Sequence, residues 1–279
     1  MMSIMHMTGH FLRRLPTRLV KASSERKATR PGLSRCRSRS QASRLFLPVL
    51  ALFLSACATS PQRLPNSELG KIHSVGIVSV LGDDVQSYAM HMAAIINRGT
   101  SHFLPQWTMD EYARNVLRQS LNPRLHPVML RPQPQDLKRR GPDAEESPKL
   151  GELIPLLRPL VTASPVDAVL VISPASSRDP INATSLWLAG YGLYRLFSPA
   201  GTSTFEADMF VNVNLTLLDG ATLQPLASNS TFDFQRSFDD EWKHQLDDLP
   251  VRQKKELEGK LKELLAKALR SLVQQEGLS

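Results

Sequence analysis

The apolar residues of this chain recur with two spacings, one typical of strands and one typical of helices. Residues 72–80 form a β-branched run that ends in a Gly-Asp-Asp turn, and 167–172 are continuously apolar, as in a strand buried on both faces. Residues 126–130 predict a further strand. The apolar stretch 88–96 fits either a strand or a short helix.

Three segments carry the helical period. Residues 109–121 predict a helix that a capping box of Thr108 and Glu111 begins and Asn122-Pro123 ends. Residues 150–161 have the same period in spite of two internal prolines, and 257–272 predict a closing amphipathic helix of about five turns.

The clearest strand pair lies at 207–234. Residues 207–218 alternate between apolar and polar side chains, Asp219-Gly220 makes a turn, and 226–232 alternate on the way back, which predicts a β-hairpin. The order of elements predicts one α/β (α+β) domain over 71–279. We expect a mixed sheet with helices packed against it, the hairpin and a closing helix near the carboxyl end, and a proline-rich, charged, flexible insert at 132–148.

A different pattern precedes this domain. Residues 45–54 form an apolar run of about ten residues, which is about half the length that crosses a bilayer, and four arginines precede it. This is typical of an export signal. The run ends in Leu54-Ser55-Ala56-Cys57, which resembles the lipobox of bacterial lipoproteins; the alternative is a secreted protein with an ordinary cysteine at this position.

The lipobox resemblance implies cleavage between Ala56 and Cys57, a diacylglycerol on the Cys57 sulfur and an acyl chain on its new amino group, with no other cofactor. Ala58 in place of Asp resembles the default for the outer membrane, so the resemblance implies a palmitoylated protein anchored on its periplasmic face. Several acyl chains anchor a protein stably in the membrane, whereas a single chain anchors it only marginally. Residues 1–56 would then be leader and 57–70 a tether. Residues 1–34 suggest a start site assigned too early, or else a real extension or transit-like segment.

The folded part has a weaker resemblance. The hairpin sequence at 217–228 and the closing helix are similar to the periplasmic α/β domain of envelope lipoproteins, over about 71–275. The curli-secretion lipoprotein, the penicillin-binding-protein activators and the amino-terminal domain of the Tol translocation protein share this order. The Asp-x-x-Thr-Gly turn of that domain is here Asp219-Gly220-Ala221-Thr222-Leu223. No functional residue is carried over by this resemblance.

Charge and cysteine content narrow the function. Of 34 Lys and Arg, 11 lie in residues 1–56, which leaves 23; of 26 Asp and Glu, only Glu25 lies there, which leaves 25 and a balance of −2. The mature chain therefore has no basic excess that would indicate nucleic acid. Cys36 lies in the leader and lipid would consume Cys57, so we expect neither disulfides nor a thiol site.

The polar residues predict no catalytic or metal centre. The mature histidines show no metal-ligand spacing, the acidic doublets lie in turn-like contexts, and no nucleophile elbow or phosphate loop occurs, so we identify no small-molecule substrate. The histidines are His73, His91, His102, His126 and His244.

The aromatic segment 185–197 is the unusual one. Its aromatic residues and central arginine fit either an interface with a protein or membrane, or a buried connection that fills the core. The sequence thus predicts a non-enzymatic outer-membrane lipoprotein, an accessory subunit of an envelope assembly or transport machine with an envelope protein as partner. An oligomeric secretion or pore component and a hydrolase of envelope polymers are the alternatives. The residues expected at the interface are Trp187, Tyr191, Tyr194, Arg195 and Phe197.

Overall fold

A computed structural model of the chain describes residues 64–91, 98–132, 148–197, 204–237 and 246–279. The chain divides into two units, 1–57 and 58–279, and every described residue lies in the second unit. The predicted leader, lipobox and most of the insert 132–148 lie outside the described residues.

The described residues form four helices and nine strands, and the helices lie between groups of strands along the chain. In chain order they are α1 (Asn66–Leu69), β1 (Ser74–Ser79), β2 (Asp84–His91), β3 (Arg98–Phe103), α2 (Met109–Ser120), β4 (His126–Met129), α3 (Leu150–Ala163), β5 (Ala168–Pro174), β6 (Ser176–Arg178), β7 (Trp187–Phe197), β8 (Thr204–Asp219), β9 (Pro225–Ser237) and α4 (Val251–Glu276). Short 3₁₀ turns lie at Pro105–Trp107 and Leu246–Asp248.

One mixed sheet contains all of these strands, in the order β3-β2-β7-β8-β5-β1-β4, with β6 beside β7 and β9 beside β8. Strand β1 is parallel to β4 and β5, and β2 is parallel to β7, whereas β8 is antiparallel to β5, β7 and β9. The predicted mixed α/β sheet with a hairpin and a closing helix is confirmed.

The long strand β8 joins two halves of the sheet. One edge of β8 pairs with β9 along most of its length. The other edge pairs first with β7, through Asn212, and then with β5, from Val213 onward. The β5 half therefore comprises β4, β1, β5 and the part of β8 from Val213 onward, and the β7 half comprises β3, β2, β7 and the part of β8 through Asn212, each with the residues of β9 that pair with that part of β8.

The two faces of the sheet are covered differently. The main core lies on the face that packs against α2 and α4, which we call the helix face. On the opposite, outer face, α3 covers the β5 half through Leu157 and its neighbours. The outer face of the β7 half has a third cluster of buried side chains, which no helix in the described residues covers. This cluster consists of Tyr88, Met90, Leu188, Tyr194, Leu196 and Phe210.

Several predicted elements differ in detail. The ambiguous segment 88–96 contributes the end of β2, and its last residues lie outside the described ranges. Helix α4 starts six residues before the predicted 257, because it continues past the apolar stripe into polar turns. The fold also begins within the predicted tether 57–70, since α1 lies there and Leu64 is only 4% exposed.

The start of α2 is the predicted one, but its predicted cap is wrong. Thr108 has φ +48° and its hydroxyl makes no capping hydrogen bond. Instead, the Met109 N–H donates to the Asp83 carboxylate, which comes from the turn after β1. The capping-box pattern considers only neighbouring residues. It fails here because the acceptor, the Asp83 carboxylate, is distant in sequence.

Asp110, in the first turn of α2, ties this helix to the end of β1. Its carboxylate accepts hydrogen bonds from the Ser79 hydroxyl (2.5 Å), the Leu81 N–H (3.0 Å) and the Gly82 N–H (3.2 Å). Burial raises the pKa of Asp110, and these hydrogen bonds oppose that rise. Asp110 thus joins the first turn of α2 to the end of β1 and the turn that follows it.

Candidate interaction surface

The structure places most of the predicted interface segment inside the molecule. Tyr191 and Tyr194 are 1% and 0% exposed, because β7 lies in the middle of the sheet between β2 and β8. The Tyr191 hydroxyl donates to the Gly82 carbonyl (2.8 Å), and the Tyr194 hydroxyl donates to Asp179 (3.1 Å). These two tyrosines therefore join elements of the core and do not present their rings to a partner.

Arg195 is also buried, on the helix face, where its guanidinium donates to the Ser87 hydroxyl (3.0 Å). Burial lowers the pKa of Arg195, and the charge of Asp248 opposes that shift. Trp187 and Phe197, at the two ends of β7, are half-buried. A contact role for these two end residues stays a prediction, whereas the fold removes Tyr191, Tyr194 and Arg195 from any surface contact.

The outer face of the β7 half instead carries a row of aromatic rings that reaches the surface. Ring centroids are 5.7 Å apart for Tyr88 and Phe210, 6.1 Å for Phe210 and Phe232, and 6.2 Å for Phe232 and Phe234. The row starts in the buried cluster and ends on β9 at Phe234, which is 40% exposed. Single exposed apolar side chains are common on protein surfaces, and Phe103 and Val251 are more exposed than Phe234, so Phe234 indicates a contact surface only together with the groups beside it.

Two buried carboxylates lie beside this aromatic row. Glu206 and Asp208 are both buried near the start of β8, and Asp208 is completely inaccessible. The Arg236 guanidinium of β9 contacts Glu206 and lies 3.5 Å from Asp208. As a carboxylate, Asp208 has no hydrogen-bond donor for either oxygen among the described residues. Burial raises the pKa of Asp208 to about 6, Glu206 adds to the rise, and Arg236 opposes it.

A shallow groove of about 300 Å³ lies between the end of β9 and helix α4. We call this groove, with its lining residues, the β9 edge site. An ion pair between Lys267 of α4 and Asp233 of β9 (2.8 Å) holds the helix against the strand there. The lining residues are Phe234, Gln235, Glu263, Leu264 and Lys267.

A hydroxyl, an imidazole and a carboxylate also meet at the other edge of the sheet. The Thr100 Oγ1 lies 3.0 Å from His102 Nε2, and His102 Nδ1 lies 2.8 Å from Asp247 Oδ1. The order of hydroxyl, imidazole and carboxylate resembles that of a catalytic triad. The Thr100 hydroxyl also bonds the Ser87 carbonyl, and Asp247 is 75% exposed, unlike the buried acid that orients a catalytic histidine. The cluster also ties the turn before α4 to β3, which is a structural role.

The described part of the chain lacks two further features. There, no group of three or more His, Cys, Asp or Glu side chains is placed to hold a metal ion. No described helix combines the length and apolarity that a membrane crossing requires.

Sequence reasoning missed the surface around β9 for a specific reason. It assigned Asp208, Asn212 and Asn214 to a polar face of β8, which suggested solvent on that side. Phe210 lies on the same face of β8 as these polar residues. A phenylalanine among them indicated that this face is partly covered. The contact between Asp208 and Arg236 depends on the β8–β9 register, which pairs these two residues.

Comparison with known proteins gives only distant likenesses. No family model matches the chain, and no curated protein matches it. The PelC dodecamer from Paraburkholderia phytofirmans is 8% identical over 78% of this chain and 94% of that chain, with a TM-score of 0.28. A Xanthomonas campestris protein of the family DUF330 is 8% identical over 80% and 93%, with a TM-score of 0.34. A hypothetical protein from Chlamydia trachomatis is 10% identical over 74% and 97%, with a TM-score of 0.33. TM-scores this low carry no function from these proteins to this chain.

Proposed function

We propose that this chain is an outer-membrane lipoprotein whose periplasmic α/β domain acts by binding another envelope protein, as a non-enzymatic accessory subunit of an assembly or transport machine. The observation that carries the proposal is the position of Cys57. It follows an apolar run with a basic flank, and it precedes Leu64, the first buried residue in the described part of the chain, by seven positions.

This spacing suits a protein that works at the membrane surface. Seven residues of extended chain span about 25 Å at most, which is shorter than the 16-residue strand β8 at ~3.3 Å per residue. A lipid on Cys57 would therefore hold the domain against the bilayer and leave little free reach. The partner on this interpretation lies in or beside the same membrane.

The lipid is tested by metabolic labelling with a palmitate analogue in cells that express the wild-type chain or the Cys57→Ala variant. We expect label on the wild type and none on the variant, and mass spectrometry of the mature amino terminus should find an acylated Cys57. An unlabelled wild-type protein would remove the basis for both the location and the proposed role.

The binding role is tested by affinity purification of the lipidated chain from gently solubilised membranes, with Phe234→Ser as the matched variant. We expect a defined envelope protein to co-purify in fixed proportion with the wild type and to be reduced with the variant. The same proteins in the same amounts with both forms would argue against a role for the β9 surface. Recovery of the chain alone would argue against the accessory-subunit role.

The hydrolase alternative has one observation in its favour, the row of Thr100, His102 and Asp247. It is tested by exposing the purified chain to a fluorophosphonate probe, which labels an activated hydroxyl. We expect no labelling of the wild type. Labelling that disappears in both Thr100→Ala and His102→Ala would establish a reactive hydroxyl and replace the binding proposal.

A further inference from the structure

We propose that His102 is a pH-sensitive joint between the sheet and helix α4. In its positively charged form, the imidazole ties the turn Leu246–Asp248, and with it the start of α4, to strand β3 at the end of the sheet. Loss of one proton removes a hydrogen bond from this connection and weakens it. The joint requires neither the lipid nor an envelope partner, so it can fail its test without affecting the proposed function.

The first support is the number of hydrogen atoms that the contacts of His102 require. The Thr100 hydroxyl has one hydrogen, which it donates to the Ser87 carbonyl (3.2 Å). Because this hydrogen is engaged, the Thr100 oxygen accepts from His102 Nε2, which lies 3.0 Å away. The Asp247 carboxylate, 2.8 Å from His102 Nδ1, is an acceptor as well. Both ring nitrogens therefore carry a hydrogen, and such a ring is positively charged.

The second support is the charge around the imidazole. The turn provides two acidic residues, Asp247 and Asp248, and the sheet provides two basic residues, His102 and Arg195. The charge of Asp248 opposes the fall in the pKa of the buried Arg195. Lys254 of α4 donates to the backbone carbonyl of Asp247 (2.9 Å), so it helps to fix the turn. Among these residue types, only histidine ordinarily changes its charge near neutral pH, so the attraction between turn and sheet depends on pH at His102.

The third support is the burial of the ring. The His102 side chain is only 12% exposed, and the residue opposite it on β2 is Val85, which is buried and uncharged. An N–H group in such a place loses its water and needs a protein acceptor. Asp247 is 75% exposed, so solvent screens part of its attraction for the ring. The joint is therefore modest in strength and depends on both hydrogen bonds.

Loss of a proton from the ring must break one of these bonds, because a neutral imidazole has one N–H. If the hydrogen stays on Nδ1, Nε2 takes the hydrogen of Thr100, and the Ser87 carbonyl loses this donor. If the hydrogen stays on Nε2, the Asp247 carboxylate loses the ring as a donor. The attraction between opposite charges disappears in both cases. The turn still packs through Leu246 and Leu249, which are 2% and 3% exposed, so the joint loosens while the turn stays in the core.

The decisive experiment is a double-mutant cycle of His102→Ala and Asp247→Ala, measured by urea unfolding of the full chain in mild detergent. It is carried out at about pH 5.5 and about pH 8.5, on either side of the usual titration of histidine. The cycle cancels the pH dependence that Asp208 and Glu276 contribute to all four proteins alike. The control cycle pairs Asp247→Ala with His126→Ala, because His126 is exposed on β4, at the opposite end of the sheet.

At the lower pH, we expect the coupling of His102 and Asp247 to raise the ratio of folded to unfolded protein about threefold, as a partly exposed ion pair does. At the higher pH, and in the control cycle at both values, we expect no measurable coupling. Magnetic resonance of the wild type adds a measurement that needs no variant. It should find two slowly exchanging ring N–H groups on His102 at the lower pH and one at the higher.

Three results would each overturn the proposal. The first is a coupling of His102 and Asp247 that is equal at the two pH values, and the second is its absence at the lower pH. The third is a single ring N–H on His102 at the lower pH, since the Thr100 hydroxyl would then donate to the ring and the imidazole would be neutral in the fold.

Discussion

The two halves of the outer face solve the same packing problem in different ways. The outer face of the β5 half is covered by α3 through an apolar cluster that contains the fully buried Leu157. The outer face of the β7 half is covered in part by the loop 179–186, where Asp179 bonds Ile181, Asn182, Thr184 and Tyr194. Among the described residues of the outer face, it is this second half that contains buried carboxylates and an aromatic row that reaches solvent. The part of the outer face that no described helix covers is thus the part where the exposed Phe234 lies near the buried carboxylates of Glu206 and Asp208.

The largest effect is expected from Gly192→Ala, in the β7 half. The new Cβ would lie 1.8 Å from the Gln86 carbonyl oxygen, so β2 and β7 could not keep their pairing. We expect a loss of more than about 4 kcal/mol or failure to fold, measured by urea unfolding.

Two other glycine substitutions serve as controls for Gly192→Ala. In the β5 half, Gly76→Ala meets side chains and no backbone atom among its nearest neighbours, Leu130 at 2.6 Å and Val166 at 3.2 Å, and should cost less than Gly192→Ala because side chains can shift. Gly259→Ala in α4 has nothing within 4 Å and should stabilise by about 0.5–1 kcal/mol. A Gly192→Ala protein as stable as the wild type would show that the two strands do not approach this closely.

The next effect concerns the covering helix of the β5 half. Leu157→Ala removes a fully buried side chain from the contact of α3 with the sheet, and it should cost about 2–5 kcal/mol in chemical denaturation. The neighbouring substitution Leu156→Ala should reduce the free energy of unfolding by less, because Leu156 is only half-buried. Equal small losses at both positions would mean that α3 does not pack as described.

The buried acid of the β7 half should make stability depend on pH. Because the pKa of Asp208 rises from 3.8 to about 6 in the fold, the folded chain keeps a proton that the unfolded chain releases in this range. The stability contribution is complete below pH 3.8 and falls as pH rises toward 6, by about 1.4 kcal/mol for each pKa unit. Asp208→Asn should remove this fall, as seen in melting temperatures across pH.

Glu276, buried at the end of α4, is the comparison for Asp208. Burial raises its pKa from 4.5 to about 8, so its own loss of stability should extend over that wider range. Glu276→Gln should remove the part of the pH dependence above pH 6 that Asp208→Asn leaves. If Asp208→Asn altered the slope above pH 7 and not below 6, the assignment of the two acids would be wrong.

The smallest effect on stability is expected at the surface end of the aromatic row. Phe234→Ser should cost less than about 1 kcal/mol, because the ring is partly exposed and its main ring contact is Phe232. Phe210→Ala, at the buried end of the same row, should cost about 3–5 kcal/mol. Similar losses at the two positions would mean that Phe234 belongs to the core and is not available for contact.

The sequence was most informative where structure depends on nearby residues. The continuous apolar run at 167–172 predicted β5, and alternation on both sides of Asp219 predicted β8 and β9. The Asp219 carboxylate accepts bonds from Ala221 and Thr222, so the turn is built by its own residues. Leu223 then takes φ +58°, in the left-handed region that favours glycine.

The candidate site could not be predicted in the same way because its parts are distant in sequence. Asp208 and Arg236 meet through the register of a hairpin, and Glu263 and Lys267 come from a helix beyond it. The sequence predicted contacts at the aromatic residues of β7, yet the central position of this strand buries Tyr191 and Tyr194, whereas the isolated Phe234 reaches the surface. Composition alone does not distinguish these two outcomes; strand order decides between them.

The burial of Leu64 also has a mechanical consequence. With a lipid on Cys57, tension between the membrane and the domain would pass through α1 directly into β1. That strand is hydrogen-bonded in parallel to β4 on one side and β5 on the other. A pull along the axis of β1 would load both rows of backbone hydrogen bonds in shear at the same time, instead of breaking them one by one. A lipid on Cys57 would therefore be attached to a part of the sheet that resists force.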